Sequence, residues 1–124
     1  MELKKAPDIR ARSFDFAVNV VRFCQKLDAK PGVGRILGRQ LLRSGTSVGA
    51  NVEEAQAAQS TADFISKCSI SLKEARETNY WLRLLEASGQ YTGNDLRLLV
   101  RESDELARIL GSIIVRTKNR RKEP

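Results

Sequence analysis

Glu74 and Glu77 stand three residues apart in the run KEARETNYW, and two carboxylates one helical turn apart can divide acid and base work. The rest of the chain does not support that chemistry. It has no histidine, so the commonest general base and the commonest metal ligand are both missing. Cys24 and Cys68, the two cysteines, form neither a metal-binding spacing nor a CxxC pair. Thiols on apolar helix faces are ordinarily small core residues. No phosphate-cradling glycine loop is present. No catalytic residue, metal or cofactor is therefore assigned. Glu74 and Glu77 read as ion-pair partners, with Lys73, Arg76 and Arg43 the available cations.

A second set of residues points to binding. Arg22, Lys26 and Lys30 step by four, and so do Arg35, Arg39 and Arg43; between Arg22 and Arg43 the only acid is Asp28. Each triplet lies along one helix face or runs on into a loop, and the two meet where the chain turns. Such a cluster suits a phosphate backbone, contacted without regard to base sequence. The opposing reading is solvated surface charge. Nothing resembles a base-reading module, since neither an aromatic stacking platform nor a zinc finger is present. The net charge is +7 over 124 residues, and most of the excess lies in the flanks: +2 in residues 1–12, +4 in residues 116–124, and +1 in the long middle.

The elements that position these groups are helices. A chain of this length implies one domain, and no apolar run approaches a membrane span. Basic residues near the start are followed by no apolar stretch of the signal-peptide kind, which gives a cytoplasmic expectation. The first helix is expected from Ser13 as N-cap, with the stripe Phe14, Ala17, Val18, Val21 and Cys24 facing the core. LDAKPGVG ends it, because Pro31 disfavours helix at Lys30. The second runs from about Gly34 to Gln59 on the stripe Leu37, Leu41, Val48, Val52 and Ala55. Gly45 and Gly49 within it leave room for a close neighbouring backbone. Ser60 or Thr61 caps a third helix that runs to about Ser88 before Gly89. Its seam reads Ile65, Cys68, Leu72, Ala75, Asn79 and Leu82. Asn94 opens a fourth that runs to about Val115, with Leu96, Leu99, Leu106, Leu110, Ile113 and Ile114 inward. Arg97, Arg101, Asp104 and Arg108 fall on the opposite face.

This pattern predicts an all-α, antiparallel, up-down-up-down four-helix bundle over residues 13–115. Residues 1–12 are read as an N-terminal arm. Residues 116–124 are read as a basic C-terminal tail, frayed for want of apolar residues.

The third helix has more apolar surface than one seam uses. Ile70, Tyr80, Trp81, Leu84 and Leu85 spread around it, and Glu74 and Glu77 share that second face. Uncovered, the face costs about 25 cal/mol per Å². The simplest cover is another copy of the chain, so Ile70, Glu74, Glu77, Trp81, Leu84 and Leu85 are the expected oligomer contacts. The first helix repeats the pattern with Phe16, Val20, Phe23 and Leu27 off its main stripe. On the second helix Gln40, Ser44, Ser47 and Asn51 form a polar strip beside Arg43 and Glu54. Partly buried, that strip is expected to form a network that fixes helix register.

The run QLLRSGTSVGANVEEAQAAQSTADFISKCSISLKEARETNYWLRLLEASG resembles the four-helix bundle family described as 23S rRNA intervening-sequence proteins. Arg43, Ser47, Asn51, Glu53 and Glu54 carry the likeness on the second helix. Phe64, Lys67, Ser71, Glu74, Glu77 and Trp81 carry it on the third. The resemblance implies an antiparallel bundle assembled as a ring-like homopentamer, with no known catalytic residues. It also implies a distant relation to the accessory variability determinant proteins of diversity-generating retroelements, which are basic bundles that work with a reverse transcriptase. The expected partners are thus other copies of the chain, RNA or DNA, or a nucleic-acid enzyme that uses the bundle as a scaffold, with no membrane.

Overall fold

The computed structural model describes residues 8–122. Among them are four helices and no strand: α1 (Ile9–Asp28), α2 (Val33–Gln56), α3 (Thr61–Ala87) and α4 (Asn94–Lys122). They form a four-helix bundle in which α1 packs on α2, α2 on α3, α3 on α4, and α4 more sparsely back on α1.

Local chemistry sets most helix ends. Ser60 Oγ accepts from the Asp63 N–H at 3.0 Å, and Asp63 Oδ2 accepts from the Gln59 N–H at 3.3 Å. This reciprocal pair occupies one donor that the first turn of α3 leaves free and one on the residue before the cap. At the other end Gly89 takes φ 76°, and the Gln90 and Gly89 N–H groups donate back to Leu85 O and Glu86 O at 2.9 and 3.1 Å. A left-handed glycine closing the last turn in this way is the Schellman arrangement.

Two ends differ from expectation. Asp8, not Ser13, caps α1: its carboxylate accepts from the Arg10 N–H at 3.0 Å. Ser13 lies inside the helix and is buried, because α2 closes on it. A Cβ added at Gly49 would sit 3.1 Å from Ser13 O. Residues 9–12, assigned to an arm, are therefore helical; residues 1–7 lie outside the described part. Residues 116–122, expected to fray, continue α4. Arginine and lysine are good helix formers, and cations in a last turn complement the helix dipole. Within the extension Thr117 bonds back along its own helix, donating to Ile113 O at 2.7 Å. The last two residues of the expected tail lie outside the described part.

The core joins Phe16, Val20, Phe23 and Leu27 of α1 to Leu41, Val48 and Val52 of α2, Ala75, Leu82 and Leu85 of α3, and Leu96, Leu99, Leu106 and Leu110 of α4. A smaller cluster of Ala55, Ile65, Cys68 and Ile114 closes the end near the α2–α3 turn. This turns α1 away from its expected phase, and Cys24 alone of the expected stripe is fully in the core. Phe16 is 1% exposed, whereas Phe14 is 65% and Val21 40% exposed. The two candidate stripes lie roughly 100° apart, one residue step around the helix. Glycines on α2 choose between them. Leu27 lies against Gly38, Val20 against Gly45 and Ser13 against Gly49, so contacts descend along α1 as they ascend along α2. The close backbone expected there is present at Gly49, where it is that of Ser13, whereas at Gly45 the neighbour is the Val20 side chain.

On α3 the buried face includes Ser71 and Thr78. Ser71 Oγ donates to Val48 O at 2.7 Å, and Thr78 Oγ1 lies 2.9 Å from Ser44 Oγ. Expected seam members Leu72 and Asn79 turn toward α4 and are half-buried. Asn79 Nδ2 there donates to Ser103 Oγ at 3.0 Å. Leu85 is 0% exposed and belongs to this chain's own core, not to an outer face. Its spacing of three and seven from Leu82 and Thr78 places it on their side of the helix.

Two alanine substitutions separate packing from propensity. A Cβ at Gly45 would meet the Val20 methyls at 2.8 and 2.9 Å, whereas one at Gly111 would meet nothing within 4 Å. Overpacking of about 1–3 kcal/mol should outweigh the propensity gain of about 1 kcal/mol at Gly45. Gly45→Ala should therefore destabilise in urea unfolding. Gly111→Ala should stabilise by up to about 1 kcal/mol.

Candidate nucleic-acid interface

The six cations of the two stepped triplets divide into two groups. Lys26 Nζ lies 2.7 Å from Asp95 Oδ2, which also accepts from Tyr91 OH at 2.7 Å. The Tyr91 ring meets Phe23 edge-on, with centroids 4.8 Å apart, so this polar group rests on the core. Burial raises the Asp95 carboxyl, but hydrogen bonds from Lys26, Tyr91 and the Leu96 N–H outweigh it and hold it below the usual aspartate range. Arg35 reaches back to the C-terminus of α1, where its Nε and Nη2 donate to Asp28 O at 3.2 and 2.8 Å. It thereby brings a cation to the negative end of that helix. Arg43 leaves α2 to bridge Glu74, at 2.9 Å, and Glu77 on α3. Arg22, Lys30 and Arg39 are exposed and make no ion pair among the described residues.

The surface around the α1–α2 turn brings five of the six together. A groove of about 540 Å³ between α1 and α4 is lined by Arg12, Arg22 and Lys26 together with the acids Asp15, Asp95 and Glu102. A depression of about 360 Å³ at the turn holds Lys26, Lys30 and Arg35, with Gly89 and Gln90 from the α3–α4 turn opposite. A third, of about 440 Å³ between α1 and α2, holds Arg35 and Arg39. Lys26 and Arg35 each border two of them. Arg43 lies apart, on the α2–α3 face.

Arg12 was not singled out from sequence, yet it grips Glu102 through Nε and Nη2 at 2.7 and 2.9 Å. It crosses the α1–α4 groove at the end away from Lys26 and Asp95. No local pattern marks it, because its partner is 90 residues away.

On the α2–α3 face Trp81 is half-buried and its Nε1 donates to Glu77 Oε2 at 2.9 Å. Tyr80 meets its ring edge-on at 5.2 Å. Ile70 is 41% exposed and Leu84 is half-buried. Nearer the α1–α2 turn, Ile36 is 63% exposed on α2. Five of the six residues expected there thus reach the surface in some degree, and Leu85 does not. The polar strip of α2 is only partly the expected network. Ser44 is buried and bonds across to Thr78, but Ser47 and Asn51 bond back to their own helix, at Arg43 O and Ser47 O. Gln40 is exposed.

The arrangement favours holding over reacting. The Trp81 N–H, and then Arg43, hold the Glu77 carboxyl below the usual range, which keeps it ionised and a poor proton donor at neutral pH. Burial pushes the Cys24 thiol up to about 12 and raises Cys68 as well, so neither is a ready nucleophile. Among the described residues no group of three or more histidine, cysteine, aspartate or glutamate side chains is placed to hold a metal ion, and no helix is long and apolar enough to cross a membrane.

The Glu77 group has a pH signature. Its folded pKa lies below the unfolded value, so it stabilises above the unfolded glutamate pKa, and that contribution is lost as pH falls through the folded one. Trp81 is the only tryptophan, so its emission reports unfolding and this site directly. The midpoint of thermal unfolding should fall more steeply below about pH 4.3 in the wild type than in Glu77→Gln. Parallel curves would remove the ion pair from the account.

A family model described as 23S rRNA-intervening sequence protein matches residues 5–112. Among solved structures the chain is similar to a protein of unknown function from the S23 ribosomal protein family of Bacteroides thetaiotaomicron. The two share 42% identity with a TM-score of 0.80, over 86% of this chain and 98% of that one. No curated protein matches. With four helices in the described part and the family match spanning all but the flanks, the chain belongs to the 23S rRNA-intervening sequence protein family.

Proposed function

We propose that this is a non-enzymatic, self-associating helical bundle of the cytoplasm that holds the phosphate backbone of RNA or DNA, without base specificity, at the α1–α2 turn. One observation carries the reading: Arg22, Lys26, Lys30, Arg35 and Arg39 border three adjoining depressions around that turn. Lys26 and Arg35 are fixed by their ion pairs, while Arg22, Lys30 and Arg39 keep their charge available. Fixed and free cations side by side can position a phosphate chain and neutralise it. The reading takes the helices as antiparallel and up-down-up-down. The opposed order of the Ser13–Gly49, Val20–Gly45 and Leu27–Gly38 contacts supports this for α1 and α2.

Self-association rests on apolar surface. Ile36, Ile70, Trp81 and Leu84 leave apolar surface on the α2–α3 side, and Phe14 and Val21 of α1 with Leu42 of α2 leave more on the α1–α2 side. Two unlike patches on one chain suit head-to-tail contacts that close into a ring. Five subunits is the number the family resemblance implies. A ring would multiply the positive field at each turn. A scaffold for a nucleic-acid enzyme such as a reverse transcriptase would use the same patches. A protein partner that survives nuclease treatment in a pull-down would favour that role.

Light scattering after size exclusion should give a mass several times 13.9 kDa for the wild type and a smaller one for Ile36→Glu/Ile70→Glu. A wild-type monomer at micromolar concentration would end the assembly argument. In fluorescence anisotropy with a labelled RNA duplex, affinity should drop steeply between 50 and 200 mM salt. Neutralising Arg22, Lys30 and Arg39 to Gln should flatten the log–log salt slope by about 2–3. Absence of binding at 50 mM salt would refute the reading.

A further inference from the structure

The extension of α4 past the bundle carries charge that the fold does not use. Thr117 is the last residue of α4 to border the α2–α3 turn, where it lines a depression with Ala55, Ser60 and Phe64. Beyond it the helix continues to Lys122, a further rise of about 7 Å at 1.5 Å per residue. Arg116, Lys118, Arg120 and Arg121 are exposed, and none is in an ion pair among the described residues. The family match ends at residue 112, so this segment lies outside it.

The angular placement of these cations is informative. At 100° per residue, Arg116 and Arg120 fall within about 40° of each other, and Lys118 and Arg121 within about 60° on the far side. The helix thus bears two basic rails on roughly opposite faces. Like charges three and four residues apart repel and weaken an isolated helix. One or two cations suffice to complement a helix dipole of about half a charge. A membrane-surface helix would need an apolar face along this segment, and between Arg116 and Arg121 there is none. Two rails can meet anions on both sides of the helix at once.

We infer that residues 116–121 of α4 form a second nucleic-acid contact, separate from the α1–α2 turn, which enters the major groove of duplex DNA with a phosphate strand on either flank. The B-form major groove, about 12 Å wide, admits an α-helix, whereas the A-form RNA major groove is too narrow for one. The partner is therefore a DNA duplex, bound through its backbone. The cations at the turn are not needed for this inference, and it stands if the reading of that surface fails.

The test compares a labelled 20-base-pair DNA duplex with the RNA duplex of the same sequence, by anisotropy across salt, using the full chain. The variant is Arg116→Gln/Lys118→Gln/Arg120→Gln/Arg121→Gln, with an all-lysine variant at the same positions as control. Four phosphate contacts predict that the wild type loses DNA affinity about 100-fold more than the glutamine variant between 50 and 200 mM salt. The lysine variant should match the wild type, and RNA-duplex affinity should stay within about twofold in all three. Circular dichroism checks that the helix persists, as glutamine's good helix propensity predicts. Equal losses on DNA and RNA would overturn groove entry. No loss on DNA, no wild-type binding to DNA, or a change only in helix content would overturn the proposal outright.

Discussion

The fit of Val20 against Gly45 is the constraint from which the rest of the bundle follows. No Cβ can stand between them, and Ser13 against Gly49 and Leu27 against Gly38 continue the same tight line. Side chains at these α2 positions would hold α1 away, and either apolar stripe of α1 could then face inward. With them absent, α1 settles in the phase that puts Phe16, Val20, Phe23 and Leu27 into the core. That phase turns Phe14 and Val21 outward and directs Arg22 and Lys26 toward the groove along α4. Apolar patch and basic surface are thus two consequences of one close helix contact.

The ion pairs act on this frame as locators. Arg12–Glu102 and Lys26–Asp95 join α1 to α4 across the sparsest seam, one pair toward each end of the groove. Arg43 joins α2 to α3 through two carboxylates, one of which also takes the Trp81 N–H. Exposed pairs add little stability, typically under about 1 kcal/mol. Their larger effect is to decide which cations are held at fixed positions and which stay open to a ligand.

Much of this was legible in the sequence, for identifiable reasons. Ser60 with Asp63, and Gly89 after the last apolar residue of α3, are local signals, and local signals need no partner. The close approach at Gly45 and Gly49 was readable because glycine in a helix interior is costly without a packing reason. The phase of α1 was not readable, since Phe14–Val21 and Phe16–Leu27 both keep helical spacing and only α2 distinguishes them. Ser71 and Thr78 hid in the same way: their hydroxyls become core groups only because Val48 O and Ser44 Oγ meet them. Leu85 shares their side of the helix and is buried with them. The continuation of α4 was hidden by composition, as a run of arginine and lysine reads as a solvated tail until the helix preceding it is known to persist. Of the basic surface, the cluster at the turn was visible, but which cations would be tied to Asp28, Asp95, Glu74 and Glu77 depended on the packing.

The most direct test of the account is nuclear Overhauser contact in isotopically labelled protein between the Val20 methyls and the Gly45 Hα protons. The account predicts strong cross-peaks there, accompanied by contacts from the Phe16 ring to core methyls and none from the Phe14 ring. Cross-peaks from Phe14 and Val21 to Leu41 and Val48, with Val20 silent toward Gly45, would contradict it.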